Sequence, residues 1–242
     1  GQGSGAGHLR LSLHHGRGCP AGLTNLIHLL LHAPKAFWQI GLVQFFCWFA
    51  FLYMWNNTTG GIAETVWGAL DPKSEGFQEA GNWTGVLFAV QAIGSILWAM
   101  VLPMFKSVKV GYSLSLVLGA VGFISTYFIH DQYLLFLSFI LIGCAWAAML
   151  AMPFALLTNS LSGKSMGSYL GLFNCTICLP QIVAALVGGF LFKTFGGEKV
   201  ELISNGVVTE VQSGQIMMLV IAGVSLLLAA VAVFGISTRK AK

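Results

Sequence analysis

Charge is scarce in this chain. Asp, Glu, Lys and Arg make up 8% of its 242 residues, where a soluble domain carries about 25%. With 56% hydrophobic residues and a mean hydropathy of +0.80, that scarcity excludes a water-soluble globule and any basic surface suited to nucleic acid. Cysteine is also sparse. Four of the five, Cys47, Cys144, Cys175 and Cys178, lie in apolar runs, which argues against a disulfide scaffold. Cys19 with His8, His14 and His15 matches no zinc spacing, so neither a metal site nor a cofactor is expected. Enzyme motifs are lacking too. Gly163 to Gly167 fits G-x-S-x-G, but no His follows Ser165, the last being His130. The spans hold no nucleophile–base or metal constellation, and the chain reads as a non-enzyme.

What is present is length in apolar sequence. Six runs, near 37–61, 83–104, 110–129, 133–157, 166–192 and 214–236, reach the roughly 20 residues needed to cross a bilayer. This predicts an all-α, multi-pass integral protein of the cell (inner) membrane, with the lipid bilayer as its solvent. Residues 1–32, rich in Gly and His, read as a flexible leader that need not be native, with a short amphipathic helix over 23–32 stopped by Pro34. No secretory signal is apparent, since Leu26–Leu31 is short and lacks a small-residue cleavage site. Residues 33–242 form the predicted bundle.

The few charges fall unevenly between the loops. Arg10, Arg17, Lys35, Lys106, Lys109, Lys164, Arg239, Lys240 and Lys242 lie on one side without an acid. Lys73, Lys193 and Lys199 share the other with all eight acids. Nine basic residues against three place both termini in the cytoplasm by the positive-inside rule.

Polar residues inside the spans are costly in lipid and therefore informative. On the fifth span, Gly171, Asn174, Cys178, Gln181, Ala185 and Gly188 share one face, and Pro180 predicts a kink beside the two amides. Two readings stand side by side: part of a solute pathway, or hydrogen bonding that only holds helices together. The first span gathers Gln44, Trp48, Phe51, Trp55 and Thr59 on one face, with Asn56 and Asn57 near its outer end. Rings beside amides suit a sugar, whose C–H face stacks while its hydroxyls take hydrogen bonds. Lipid-facing filler or an interface belt is the competing reading for Tyr53 and Trp55. The second span carries Gln91, Ser95 and Trp98. The third and fourth carry small-residue ladders, Gly111, Ser115, Gly119, Gly122 and Gly143, Ala147, Ala151, Ala155, with a kink predicted at Pro153 and Trp146 nearby. The sixth, plain Leu, Ala and Val, reads as an outer, lipid-facing helix.

Two stretches carry a family likeness. APKAFWQIGLVQFFCWFAFLYMWNNTTGGIAETVWG resembles the seventh helix, and GKSMGSYLGLFNCTICLPQIVAALVGG the eleventh helix, of glycoside–cation symporters of the sucrose and maltose type, within the major facilitator superfamily. The resemblance spans roughly 33–238 and implies the C-terminal half of a twelve-helix transporter, two inverted three-helix repeats, with the first six helices missing. It implies a sugar substrate, with contacts at Gln44, Trp48, Asn57, Gln91, Asn174 and Gln181. No Asp, Glu, His, Lys or Arg lies deep in any span, so a coupling proton would bind in the absent half. A six-span carrier or channel for another small solute, acting as a homodimer, is the alternative.

Overall fold

The computed structural model of the protein describes residues 27–160, 166–204 and 207–237. Two compact units divide between Ala33 and Pro34. Of the first, the described part is a helical turn over 27–31, in which His32 Nδ1 lies 2.8 Å from the His28 carbonyl oxygen and the two rings stack at 4.0 Å. The expected leader falls outside the described residues up to position 26.

The second unit is built from helices: α1 Lys35–Trp67, α2 Glu75–Val101, α3 Val108–Ser125, α4 Leu135–Ser160, α5 Met166–Phe173, α6 Cys175–Phe195 and α7 Ile216–Phe234. With α5 and α6 counted as one span, six are long and apolar enough to cross a membrane. The multi-pass membrane character expected from composition is therefore the character of the fold.

Local sequence sets the boundaries. Pro34, extended at ψ 150°, opens α1, and Gly68 closes it at φ 62°, letting the N–H groups of Gly68 and Ala69 reach back to Glu64 and Ala63. The helix α2 starts at Glu75 rather than near 83. Ser74 Oγ accepts from the Phe77 N–H at 3.3 Å and Glu75 sits favourably in the first turn, so a polar stretch ahead of the apolar run joins the helix. Pro103 lies in the one-turn 3₁₀ segment Leu102–Met104 that ends this span. Asp131 Oδ1 accepts from the N–H groups of Tyr133 and Leu134 ahead of α4.

Three features depart from or add to the sequence reading. An antiparallel hairpin, β1 Lys199–Ser204 with β2 Val207–Gln212, stands between α6 and α7 in a chain expected to be all α. The fifth span is interrupted at Asn174, where the Asn174 and Ile177 N–H groups make three-residue hydrogen bonds; Pro180 sits inside α6 and Pro153 inside α4. And the last helix is no outer helix. Its residues Met218, Leu219, Ala222, Leu226 and Ala229 are fully buried, because α7 packs extensively on both α1 and α3.

The remaining major pairings are α3 with α4, α2 with α4, and α1 with α6 and α2. Between helices in lipid, association depends on close approach rather than on the hydrophobic effect. At the α2–α4 crossing a Cβ on Gly94 would sit 2.9 Å from the Ile140 carbonyl oxygen, and one on Gly143 would run into the Gln91 carbonyl. Gly119 and Gly122 do the same for α3 against α4, and Gly223 for α7 against α3. The ladder expected on α4 holds at Gly143 and Ala147 but not at Ala151 and Ala155, which are exposed. Hydroxyls stitch the same contacts: Ser225 to the Phe46 carbonyl (2.8 Å), Ser113 to the Ala230 carbonyl (2.9 Å) and Ser125 with Ser138 (2.7 Å).

Two hydrogen bonds fix the bundle's polarity. Glu64, at the end of α1, accepts from the Gly214 N–H ahead of α7 at 2.7 Å, and Gln39, at the start of α1, accepts from the Ser237 N–H beyond α7 at 2.7 Å. The two helices are antiparallel, so residues 34 and 237 lie at one end of the bundle and the hairpin at the other.

Candidate functional site

The face of α1 singled out by its sequence is turned into the bundle. Gln44 is 1% exposed, Trp48 8% and Phe51 0%, while Trp55, one turn further, is 39% exposed. Trp146 of α4 meets all three rings, with centroids 5.9 Å from Trp48, 5.0 Å from Phe51 and 5.8 Å from Trp55. Trp48 and Trp55 lie 6.4 Å apart, and Phe51 passes the cluster on to Phe123 of α3 at 5.6 Å. The tryptophans against Trp146 are nearly perpendicular, at 78° and 81°. Edge-to-face contacts of this kind contribute about 0.5–1.5 kcal/mol each beyond burial.

Beneath the rings lies an unmet polar demand. Among the described residues, Gln44 Oε1 and Trp48 Nε1 are the buried side-chain polar atoms that make no hydrogen bond. One accepts and the other donates, and they stand four residues apart on one helix face. Leaving such a group unpaired costs about 1–3 kcal/mol, more in hydrocarbon than at a surface. A donor and an acceptor left unpaired on one helix face can be met by a molecule that carries both kinds of group.

The other expected contacts are dispersed. Asn57 is buried at 6% exposure but donates Nδ2 to the Tyr53 carbonyl of its own helix at 2.9 Å. Gln91 is buried at 6% on α2, at the crossing with Gly143. Gln181, half-buried, donates Nε2 to the Ile177 carbonyl of its own helix at 3.1 Å, and Asn174 is exposed. Gly171, Cys178 and Ala185 are exposed with it, whereas Gly188, on the same stripe, is half-buried, and a Cβ there would sit 3.7 Å from the Tyr53 ring. Pro180 and Ala184 are the buried residues of α6, which packs on α1, while Leu179, Leu186 and Phe190 across the helix from the stripe are exposed as well. The structure therefore sets Trp146 against the Gln44–Trp48 face of α1, and leaves Asn174 exposed and Gln181 half-buried on the fifth span.

Two grooves elsewhere are almost wholly apolar. One of about 240 Å³ runs between α1 and α6 past Phe37, Trp38, Leu42 and Leu179, and one of about 280 Å³ passes Phe45, Phe49, Leu191 and Leu228. Their hydroxyls, Thr176 and Ser225, already donate to the Phe173 and Phe46 carbonyls. At the hairpin, Lys199 Nζ lies 2.8 Å from Glu210 Oε2. That hydrogen bond holds the Glu210 carboxyl below its ordinary range and the Lys199 ammonium above its own.

No protein-family model matches the chain, and no curated protein does.

In the sequence, Trp146 stands out only as a neighbour of a small-residue ladder. Its partnership with α1 depends on which helices pack together, which hydropathy does not encode. The hairpin did leave a signal: Asn205-Gly206 between two alternating runs is a strong two-residue turn pair.

Proposed function

We propose that this chain is the C-terminal six-helix half of a secondary sugar transporter of the major facilitator type, carrying a di- or oligosaccharide such as sucrose or maltose. The observation that carries the reading is the buried Gln44–Trp48 pair, donor and acceptor both unmatched, under a tryptophan cluster. A pyranose supplies hydroxyls to the first and a C–H face to the second.

Helix pairing supports the same reading. Exchanging α1 with α4, α2 with α6 and α3 with α7 carries the α1–α7 contact onto α4–α3, α1–α6 onto α4–α2, and α3–α7 onto itself. That is the pattern of two related three-helix repeats. The α1–α2 contact lacks its image, since α6 leans on α1 rather than α4. The stripe of exposed Asn174 and half-buried Gln181 would then be part of the wall of a cavity completed by the other half. The spans hold no carboxylate, imidazole or ammonium at depth, so the coupling proton would bind in that other half. The protein would sit in the inner membrane with both termini cytoplasmic, the side rich in Lys and Arg.

The test is reconstitution. In liposomes under a pH gradient, the chain alone should not accumulate labelled sucrose or maltose, and co-expression with the N-terminal half of a related symporter should restore accumulation. Gradient-driven accumulation by the chain alone would overturn the half-transporter reading. Downhill flux by the chain alone would instead favour a homodimeric carrier.

A further inference from the structure

The rings that shape the Gln44–Trp48 site also fill it. Trp146 is in contact with Trp48, Phe51 and Trp55 at once, and no gap the width of a sugar ring separates them. Yet Trp48 Nε1 within the cluster, and Gln44 Oε1 one turn earlier on the same face of α1, are buried without partners. A permanently closed aromatic core would be better served by an apolar residue at 44.

Three further observations single out Trp146 as the part that moves. It is the α4 member of the cluster, and every ring it touches lies on α1. It is half-buried, whereas Phe51 is fully covered and Trp48 nearly so. And Trp55, its neighbour at 5.8 Å, is 39% exposed, so the cluster has an open edge through which a side chain can swing. The backbone beneath it is by contrast fixed, because Gly143, one turn earlier, is pressed against the Gln91 carbonyl of α2. Rotation about the side-chain bonds is therefore the available motion.

We propose that Trp146 is the occluding residue of this site: its indole occupies the place of a bound pyranose and must swing aside before a sugar can stack on Trp48 and reach Gln44. The proposal rests on the sugar reading for the identity of the ligand, but the occlusion itself does not. It also predicts selectivity, since a ring that must displace an indole has to offer a comparable flat apolar face, which sugars with an axial hydroxyl crowding that face do poorly.

Substituted-cysteine reactivity separates the two claims. In the full chain with its native cysteines replaced by serine, Gln44→Cys should react slowly with a small water-soluble methanethiosulfonate. Adding Trp146→Ala should raise that rate by roughly tenfold or more, and Trp146→Phe, which keeps an aromatic core and guards against misfolding, should give an intermediate rate. Equal rates in all three backgrounds would overturn the occlusion. In the Trp146→Phe protein co-expressed with the N-terminal half of a related symporter, sucrose or maltose should slow the reaction. If the thiol introduced at position 44 is reactive there and neither sugar protects it, the sugar reading falls while the occlusion by Trp146 stands.

Discussion

The hydroxyl of Tyr53 on α1 donates to the carbonyl oxygen of Ala184 on α6 at 2.9 Å, although that carbonyl lies within a helix. The bond crosses to the least covered span of the bundle, of which 11% is buried, and fixes α6 at mid-length. Tyr53→Phe retains the ring contact with Phe49 at 4.8 Å and deletes only the donor. It should lower stability by ~0.6 kcal/mol, the average for such bonds in membrane bundles. Reversible unfolding in mixed micelles checks it, and an unchanged midpoint would show that α6 is held by packing alone.

Gln44→Leu should do opposite things to stability and binding. Removing a buried, unpaired amide and filling the space with apolar atoms should stabilise the chain by about 1–3 kcal/mol. The same change removes the hydrogen-bonding group from the site, so sugar affinity in the restored transporter should fall roughly 2- to 13-fold, as loss of one such bond of about 0.5–1.5 kcal/mol implies. Thermal unfolding and uptake kinetics measured on the same preparations decide it. A destabilised Gln44→Leu protein would mean the amide is satisfied in the membrane.

Gly143 should tolerate no side chain. A Cβ there would overlap the Gln91 carbonyl and crowd the Ser95 N–H, both backbone atoms that cannot yield without moving α2. Gly143→Val should cost about 1–3 kcal/mol or more, whereas Gly189→Val, where a Cβ meets nothing within 4 Å, should be nearly neutral. Equal effects would contradict the α2–α4 crossing.

The two glycines at positive φ should differ. Gly68 (φ 62°) faces open space, so Gly68→Ala should cost only the left-handed conformation, about 1–2 kcal/mol. Gly214 (φ 76°) is pressed against the Gly197 backbone at the hairpin base, so Gly214→Ala should cost distinctly more. Lys199→Met should leave the unfolding midpoint unchanged. Its ion pair with Glu210 is more than half exposed, at 67% and 58%. The lowered Glu210 value makes the pair's contribution present above the ordinary carboxylate range and lost as pH falls through the folded value. That loss should appear as local hairpin fraying in hydrogen exchange, without a global transition.

Sidedness is testable in intact cells. A cysteine at Ser74 should label with an impermeant thiol reagent and one at Ala241 should not, given the nine basic residues on the terminal side. The reverse pattern would invert the assigned orientation.

Hydropathy carried the six spans because lipid imposes one rule, apolar length, on every crossing helix. It misplaced the start of α2 because Glu75, Gln78 and Glu79 are polar yet helical ahead of the apolar run. It misjudged α7 because, in lipid, buried and exposed faces are equally apolar. Leu226 is fully buried and Val231 is 72% exposed, with nothing in residue type to separate them. The Gln44–Trp48 face was legible because amides and indoles break that uniformity. Trp146 was not, since its role is a property of helix packing.

The break at Asn174 gives α6 the mechanics of a lever. Its 21 residues make a rod about 31 Å long at about 1.5 Å per residue, jointed at one end and tethered near its middle by Tyr53. Once the Tyr53 hydroxyl releases Ala184, a tilt of only about 10° about that joint would carry Phe195 by roughly 5 Å, on the order of the strand spacing in a sheet, and with it the root of the hairpin. The outermost segment of the chain would then register, on the far surface, the angle of a helix whose pivot lies inside the membrane.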